Sequence, residues 1–173
     1  LPVPIVTRAK DGTFGLDRDR PKSIGKVHAF MGNAGMVVRA WTYIRAVGGD
    51  GMRDVSEVAV LNANYVRARL QDKYKVFQDR PCMHEVVFSA RRQKREHGVS
   101  ALDVAKAILD EGVHPPTIYF PLVVSGALMI EPTETETPET LDAFVEAMLA
   151  IAQEAKENPD IVHSHTPKAG LLA

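Results

Sequence analysis

The chain has 173 residues, 45% of them hydrophobic and 25% charged, with a net charge of −1 and one cysteine. This balance is that of a folded globular protein, excludes a disordered chain, and offers no basic field for nucleic acid. A single cysteine excludes an internal disulfide and a multi-cysteine metal site, and no apolar run approaches the roughly 20 residues needed to cross a bilayer, so cytoplasm is the expected compartment.

The opening Leu1-Pro2-Val3-Pro4-Ile5-Val6 is apolar enough to need a covering surface, and the expectation is that the chain starts inside a larger polypeptide. To about Ile24, the turn signals Asp11-Gly12, Gly15 and Arg20-Pro21 predict an irregular connection with at most a short strand pair. From Val27 to Val47 the apolar positions Val37, Val38, Trp41, Ile44 and Val47 keep the three-and-four spacing of a helix face. Gly48-Gly49 should stop that helix, and Asp50 should cap a second one running to about Lys73, the two packing antiparallel or at a sharp angle. Its stripe Val55, Val58, Ala59, Asn62, Tyr65, Val66 and Arg69 has two polar interruptions.

After Lys75 the texture changes. Cys82 to Ser89 suits a strand, and Arg91 to His97 reads as a charged loop. Ser100 and Asp103 make a capping-box start for a helix that ends at Gly112. Pro115, Pro116 and Pro121 hold His114 to Leu122 extended, and Ala127 to Glu131 is a short buried strand. Thr137-Pro138 then opens the cleanest amphipathic helix, with Leu141, Phe144, Val145, Met148, Leu149 and Ala152 on one face and Asn158-Pro159 at its end. The tail after His163 has little to bury. The predicted architecture is α/β: long helices, then a small strand–helix–strand–helix layer with helices on one face of a sheet that need not be parallel.

Few residues announce chemistry. His163-Ser164-His165 has no carboxylates to complete a metal set, and no nucleotide loop is present. Cys82 and His84 share a face of an extended segment, which permits thiol–imidazole contact, but a small buried filler is the reading the cysteine favours. Arg91-Arg92-Gln93-Lys94-Arg95 could grip a phosphate or lie solvated. Glu131, at the end of an apolar strand and ahead of Thr133-Glu134-Thr135-Glu136, is costly there unless paired or hydrogen-bonded.

Several segments, in order and covering all but the tail, resemble subunit 2 of glycine dehydrogenase (aminomethyl-transferring), the glycine cleavage system P-protein. They are Asp19-Arg20-Pro21-Lys22-Ser23-Ile24-Gly25-Lys26-Val27, Phe30-Met31-Gly32-Asn33-Ala34-Gly35, Tyr43-Ile44-Arg45, Val55 to Tyr65, Met83-His84-Glu85, His114-Pro115-Pro116-Thr117 and Leu128 to Glu134. The resemblance implies the C-terminal portion of a fold-type-I pyridoxal-phosphate enzyme: residues 1–70 ending the large cofactor domain, 71–162 forming the small α/β domain, and 163–173 a tail. It implies decarboxylation of glycine and aminomethyl transfer to the lipoyl arm of H-protein, in an oligomer with the rest of subunit 2 and with subunit 1. Gly32 and Asn33 would approach the cofactor phosphate of a neighbouring subunit, although Asn33 also suits a helix cap. His84, Glu85, Thr117 and Glu131 would face the glycine or lipoyl entrance, or form a polar hinge between domains. The family's cofactor lysine follows histidine in a Leu-His-Lys-Thr-like motif before a glycine-rich run, and none of the nine lysines here has that context. The chain alone is therefore expected to be inactive. Rival readings are another fold-type-I enzyme, such as a cysteine desulfurase or an aminotransferase, and a non-catalytic assembly module.

Overall fold

The computed structural model describes residues 1–27 and 32–164. Contacts divide the chain into two compact units, Leu1–Gly48 and Gly49–Ala173.

In the first unit, β1 (Ile5–Arg8) and β2 (Phe14–Asp17) form an antiparallel hairpin, with Ile5 opposite Asp17 and Arg8 opposite Phe14. Asp11 organises its turn, accepting the Thr13 backbone N–H at 3.0 Å and the Thr13 hydroxyl at 2.7 Å. Helix α1 (Ala34–Leu70) follows. It does not reach back to Val27: Asn33 caps it, its Oδ1 accepting the Met36 N–H at 3.2 Å. Phe30 and Met31 of the family-like stretch lie outside the described residues. Met36, Val37, Val38, Trp41 and Ile44 of the first part of α1 are exposed.

Only Gly48 leaves helical geometry within α1, at φ 75 and ψ 178. Helix resumes immediately, so Asp50 lies inside it and does not serve as the predicted cap. The second unit takes up the remainder of α1 and continues with β3 (Lys75–Val76), β4 (Val86–Ser89), α2 (Arg91–His97), α3 (Ala101–Asp110), β5 (Thr117–Ile118), β6 (Ala127–Ile130), α4 (Pro138–Glu157) and α5 (Pro159–Ser164). The sheet order is β3-β4-β6-β5, and every pairing is antiparallel.

The supposed loop at Arg91–His97 is helical because Arg, Gln, Lys and Glu are strong helix formers, and Gly98, at φ 79, provides the left-handed stop. Its one buried side chain, Gln93, donates to the Lys73 carbonyl at 2.9 Å. Helix α3 starts at the expected capping box, with Ser100 and Asp103 exchanging bonds. Thr137 caps α4 through the Thr140 N–H. Helix α5 was not foreseen; Val162 buries fully there, while residues 165–173, including His165 and most of the expected tail, lie outside the described residues.

Strand alternation sets the core. Val86, Phe88, Leu128 and Ile130 point inward and pack with Val104, Ile108, Val145, Met148 and Ile151. Val66 and Leu70 of α1 and Tyr74 enter the same core. Tyr74 meets Phe88 edge-on at 6.2 Å and donates its hydroxyl to the Met148 carbonyl at 3.0 Å. Val87 and Met129, paired on the other face, are only half-buried.

Candidate functional site

The ladder between β4 and β6 ends at Val86 opposite Ile130. Extended by one position, the same register sets Glu85 against Glu131. Side chains alternate in a strand, so both carboxylates project to the face that carries Val87 and Met129, away from the core. His84 joins them: one ligand atom from each of His84, Glu85 and Glu131 lies within 4.8 Å of the others. Two neighbours in sequence and one residue from a distant strand are thus brought together. Glu85 is half-buried, and His84 and Glu131 are exposed.

Burial pushes the Glu85 carboxyl above its usual range; the hydrogen bond with Glu131 and that group's charge push it further, with His84 opposing. Among the described residues, no lysine or arginine forms an ion pair with either glutamate. The arrangement can therefore hold a proton on Glu85 beside a carboxylate and an imidazole, and its donor types are also those a divalent cation accepts.

Two clefts flank this group. Glu131 and Thr117 line one of about 590 Å³, together with His114, Met129, Pro132 and Phe144. His84 and Glu85 line another of about 560 Å³, with Phe77, Arg80 and Cys82. Thr117, paired with Met129 on β5, shares its cleft with Glu131 but is not one of the three converging residues. Cys82 is part-buried, and burial raises its thiol pKa, with Glu85 adding to the rise and Arg67 opposing it; that disfavours the thiolate a nucleophile needs. Gly32, at φ 78, precedes the Asn33 cap in the first unit.

Two residues of α1 that the sequence did not single out hold the segments around the group. Asn64 grips the backbone of Cys82, and Asn62 grips the turn after Glu131. The available signal was Asn62, a polar interruption of the apolar stripe and so a sign of an amide with a bonding task, whereas Asn64 lies off that stripe and gave none.

The fold places this chain in a class of α/β proteins. It superposes on the inhibitor-bound crystal structure of glycine decarboxylase (P-protein) of the glycine cleavage system with a TM-score of 0.61 at 21% identity, over 83% of this chain and 33% of that one. Residues 55–168 match the family described as glycine dehydrogenase, C-terminal domain, and the chain belongs to that family. It is 55% identical over 167 residues to the probable glycine dehydrogenase (decarboxylating) subunit 2 of Chlorobaculum tepidum, covering 95% of this chain and 34% of that protein. With the corresponding protein of Bacillus velezensis it shares 57% over 162 residues, 94% of this chain and 33% of the relative. The chain thus spans about a third of the length of these curated relatives.

The residues present do not fit a covalent hold on pyridoxal phosphate. No lysine lines either cleft, and the described lysines are exposed apart from half-buried Lys106. Among the described residues, no helix is long and apolar enough to cross a membrane.

Proposed function

We propose that this chain is a C-terminal portion of a pyridoxal-phosphate-dependent glycine dehydrogenase subunit 2, one that contributes a proton-handling surface to the entrance used by glycine or by the lipoyl arm of H-protein. The convergence of His84, Glu85 and Glu131 past the end of the β4–β6 ladder carries this reading. A carboxyl that keeps its proton beyond the usual range, next to a carboxylate and an imidazole, suits exchange of protons with an entering amine or thiol. Thr117 offers a hydroxyl in the adjoining cleft.

The cofactor and its lysine come from outside this chain, from the remainder of subunit 2, so the chain alone does not decarboxylate glycine. Subunit 1 and H-protein complete the partner set, in a cytoplasmic oligomer. Residues 1–70 end the large domain and 71–162 form the small one. Gly32 and Asn33 lie at the start of α1, where backbone N–H groups favour an anion such as the cofactor phosphate of a neighbouring subunit.

Glycine–bicarbonate exchange by the complete enzyme tests the reading. His84→Ala and Glu131→Gln each lower exchange. Wild-type exchange together with wild-type H-protein binding in both variants rejects it. A second reading, an assembly module, draws on the exposed Val37, Val38, Trp41 and Ile44. It gains if the complete subunit loses association but keeps its pyridoxal phosphate when these residues are made polar.

A further inference from the structure

We infer that Asn62 and Asn64 are positioning residues that set the mutual placement of His84, Glu85 and Glu131, an inference that rests on the functional reading of that group. The sheet stops one position short of Glu85 and Glu131. Val86 opposite Ile130 is the last paired rung, so residues 85 and 131 have no ladder bond to fix their separation. Beyond that point both chain segments are tied to the same helix.

On one flank, the Asn64 side chain makes a complete two-point clasp with a single residue. Its Oδ1 accepts the Cys82 backbone N–H at 3.0 Å, and its Nδ2 donates to the Cys82 carbonyl at 2.7 Å. The same Nδ2 donates to the Val60 carbonyl at 2.8 Å, which fixes the rotamer against the helix. On the other flank, Asn62 Nδ2 donates to the Thr133 carbonyl at 2.9 Å and to the Glu136 carbonyl at 3.4 Å. The side chain is 8% exposed, so these bonds are shielded from water. Cys82 stands two residues before His84, and Thr133 stands two residues after Glu131, so each clasp has a bond two residues from a member of the group.

The two asparagines are two positions apart on α1. At about 100° per residue they leave the helix roughly 200° apart, toward opposite flanks. Helix α1, anchored in the core by Val66 and Leu70, therefore lies between the segments and fixes both from one rigid body. The chemistry is specific to asparagine at position 64. A side-chain amide presents a separate donor and acceptor to a backbone C=O and a backbone N–H at once; aspartate lacks the donor, alanine lacks both, and glutamine displaces the amide by about one C–C bond, roughly 1.5 Å.

The test uses full-length subunit 2 assembled with subunit 1, with glycine–bicarbonate exchange followed across pH for Asn62→Ala, Asn64→Ala, Asn64→Gln and Glu85→Gln. The charged and titratable groups around Glu85 are Glu131 from the end of β6, His84 beside it, Cys82 and Arg80 upstream in the same cleft and Arg67 of α1 near Cys82, so movement of either segment alters its proton affinity. Loosening either clasp should lower kcat/KM about tenfold, within the hundredfold that ~1 Å of misplacement can cost. It should also move the acid limb of the profile to lower pH, as Glu85 escapes Glu131. Asn64→Gln, which keeps the amide but displaces it, should fall between wild type and Asn64→Ala, and it decides the matter if the alanine variant does not fold. An unshifted acid limb in the asparagine variants, with a limb that Glu85→Gln abolishes, overturns the positioning role alone. A Glu85→Gln enzyme with wild-type rate and profile overturns the functional reading, and this inference with it.

Discussion

Replacing Glu85 by glutamine should stabilise the fold at neutral pH, and the gain should shrink in acid. The substitution keeps the shape of the side chain and adds an amide donor that can bond Glu131, while removing one of two facing negative charges. At the 4.8 Å bound on their separation, two unit charges repel by about 0.9 kcal/mol at the dielectric of water and by about 3.5 kcal/mol at an effective value near 20. Glu131 is exposed and Glu85 half-buried, so solvent screening favours the lower figure, and a gain of about 1 kcal/mol is expected. The direction with pH follows from proton uptake. Because the Glu85 carboxyl is raised in the folded state, the folded chain binds more protons than the unfolded one between the ordinary glutamate value and the raised one. Wild-type stability from this group is complete below the ordinary value and is lost as pH rises through the raised one, where the glutamine variant loses nothing. Urea unfolding of both proteins, acidic and neutral, reads the difference as a shift in midpoint at constant slope. A Glu85→Gln variant destabilised equally at both pH values would show that the carboxylates do not confront each other. The same variant is expected to be less active in the complete enzyme, the trade between stability and function expected where like charges are held together.

Met148 is fully buried in the core, so Met148→Ala should cost about 2–5 kcal/mol; a urea midpoint within error of wild type would contradict the packing. Tyr74→Phe keeps the edge-on contact with Phe88 but deletes the bond to the Met148 carbonyl, for a loss of about 1 kcal/mol measured by the same unfolding curve. Ser100→Ala removes the cap of α3 and should cost about 1 kcal/mol. That cap also sets a pH dependence. Burial pushes the Asp103 carboxyl up, but the bonds from Ser100, aided by His163, bring it below its usual range. A depressed carboxyl contributes stability above the ordinary aspartate value and loses it as pH falls through the depressed one, so Ser100→Ala should flatten the acid limb of the stability profile.

Much of the fold was legible because it is written in apolar spacing and in caps. The stripe from Leu141 to Ala152 gave α4, and Thr137-Pro138 gave its start. Ser100 and Asp103 gave the start of α3 to the residue. Elsewhere the apolar pattern was silent or misplaced a boundary. The charged run at Arg91–His97 shows no stripe because it buries one side chain only, Gln93, and the bond to the Lys73 carbonyl that occupies it is 20 residues away in sequence. Gly48 does end one helix, as Gly48-Gly49 announced, but helix resumes at once, so Asp50 lies inside the next stretch and not at its cap. The two-residue strand β3 is too short to show a period and exists because Lys75 and Val76 meet Ser89 and Phe88.

The site was half legible for a related reason. A carboxylate closing an apolar strand was a visible anomaly at Glu131, and His84 and Glu85 stood in a family-like motif, but nothing local said that the three meet. That requires the antiparallel register of β4 and β6, a property of the pairing and not of either strand. Asn62 shows the limit most clearly. In the helical stripe it counts as a polar flaw, and on burial an amide without partners would weaken the fold. Its partners are two backbone carbonyls in the turn after Glu131, more than 70 residues along the chain. Backbone carbonyls have no sequence signature, since every residue supplies one. The flaw in the stripe is therefore where the helix reaches out of its own register to hold the site. Arg69, the second interruption, has a bonding task of another kind: it donates to the Tyr65 hydroxyl and, at 2.9 Å, to Asp142, and so ties α1 to α4 on the exposed side.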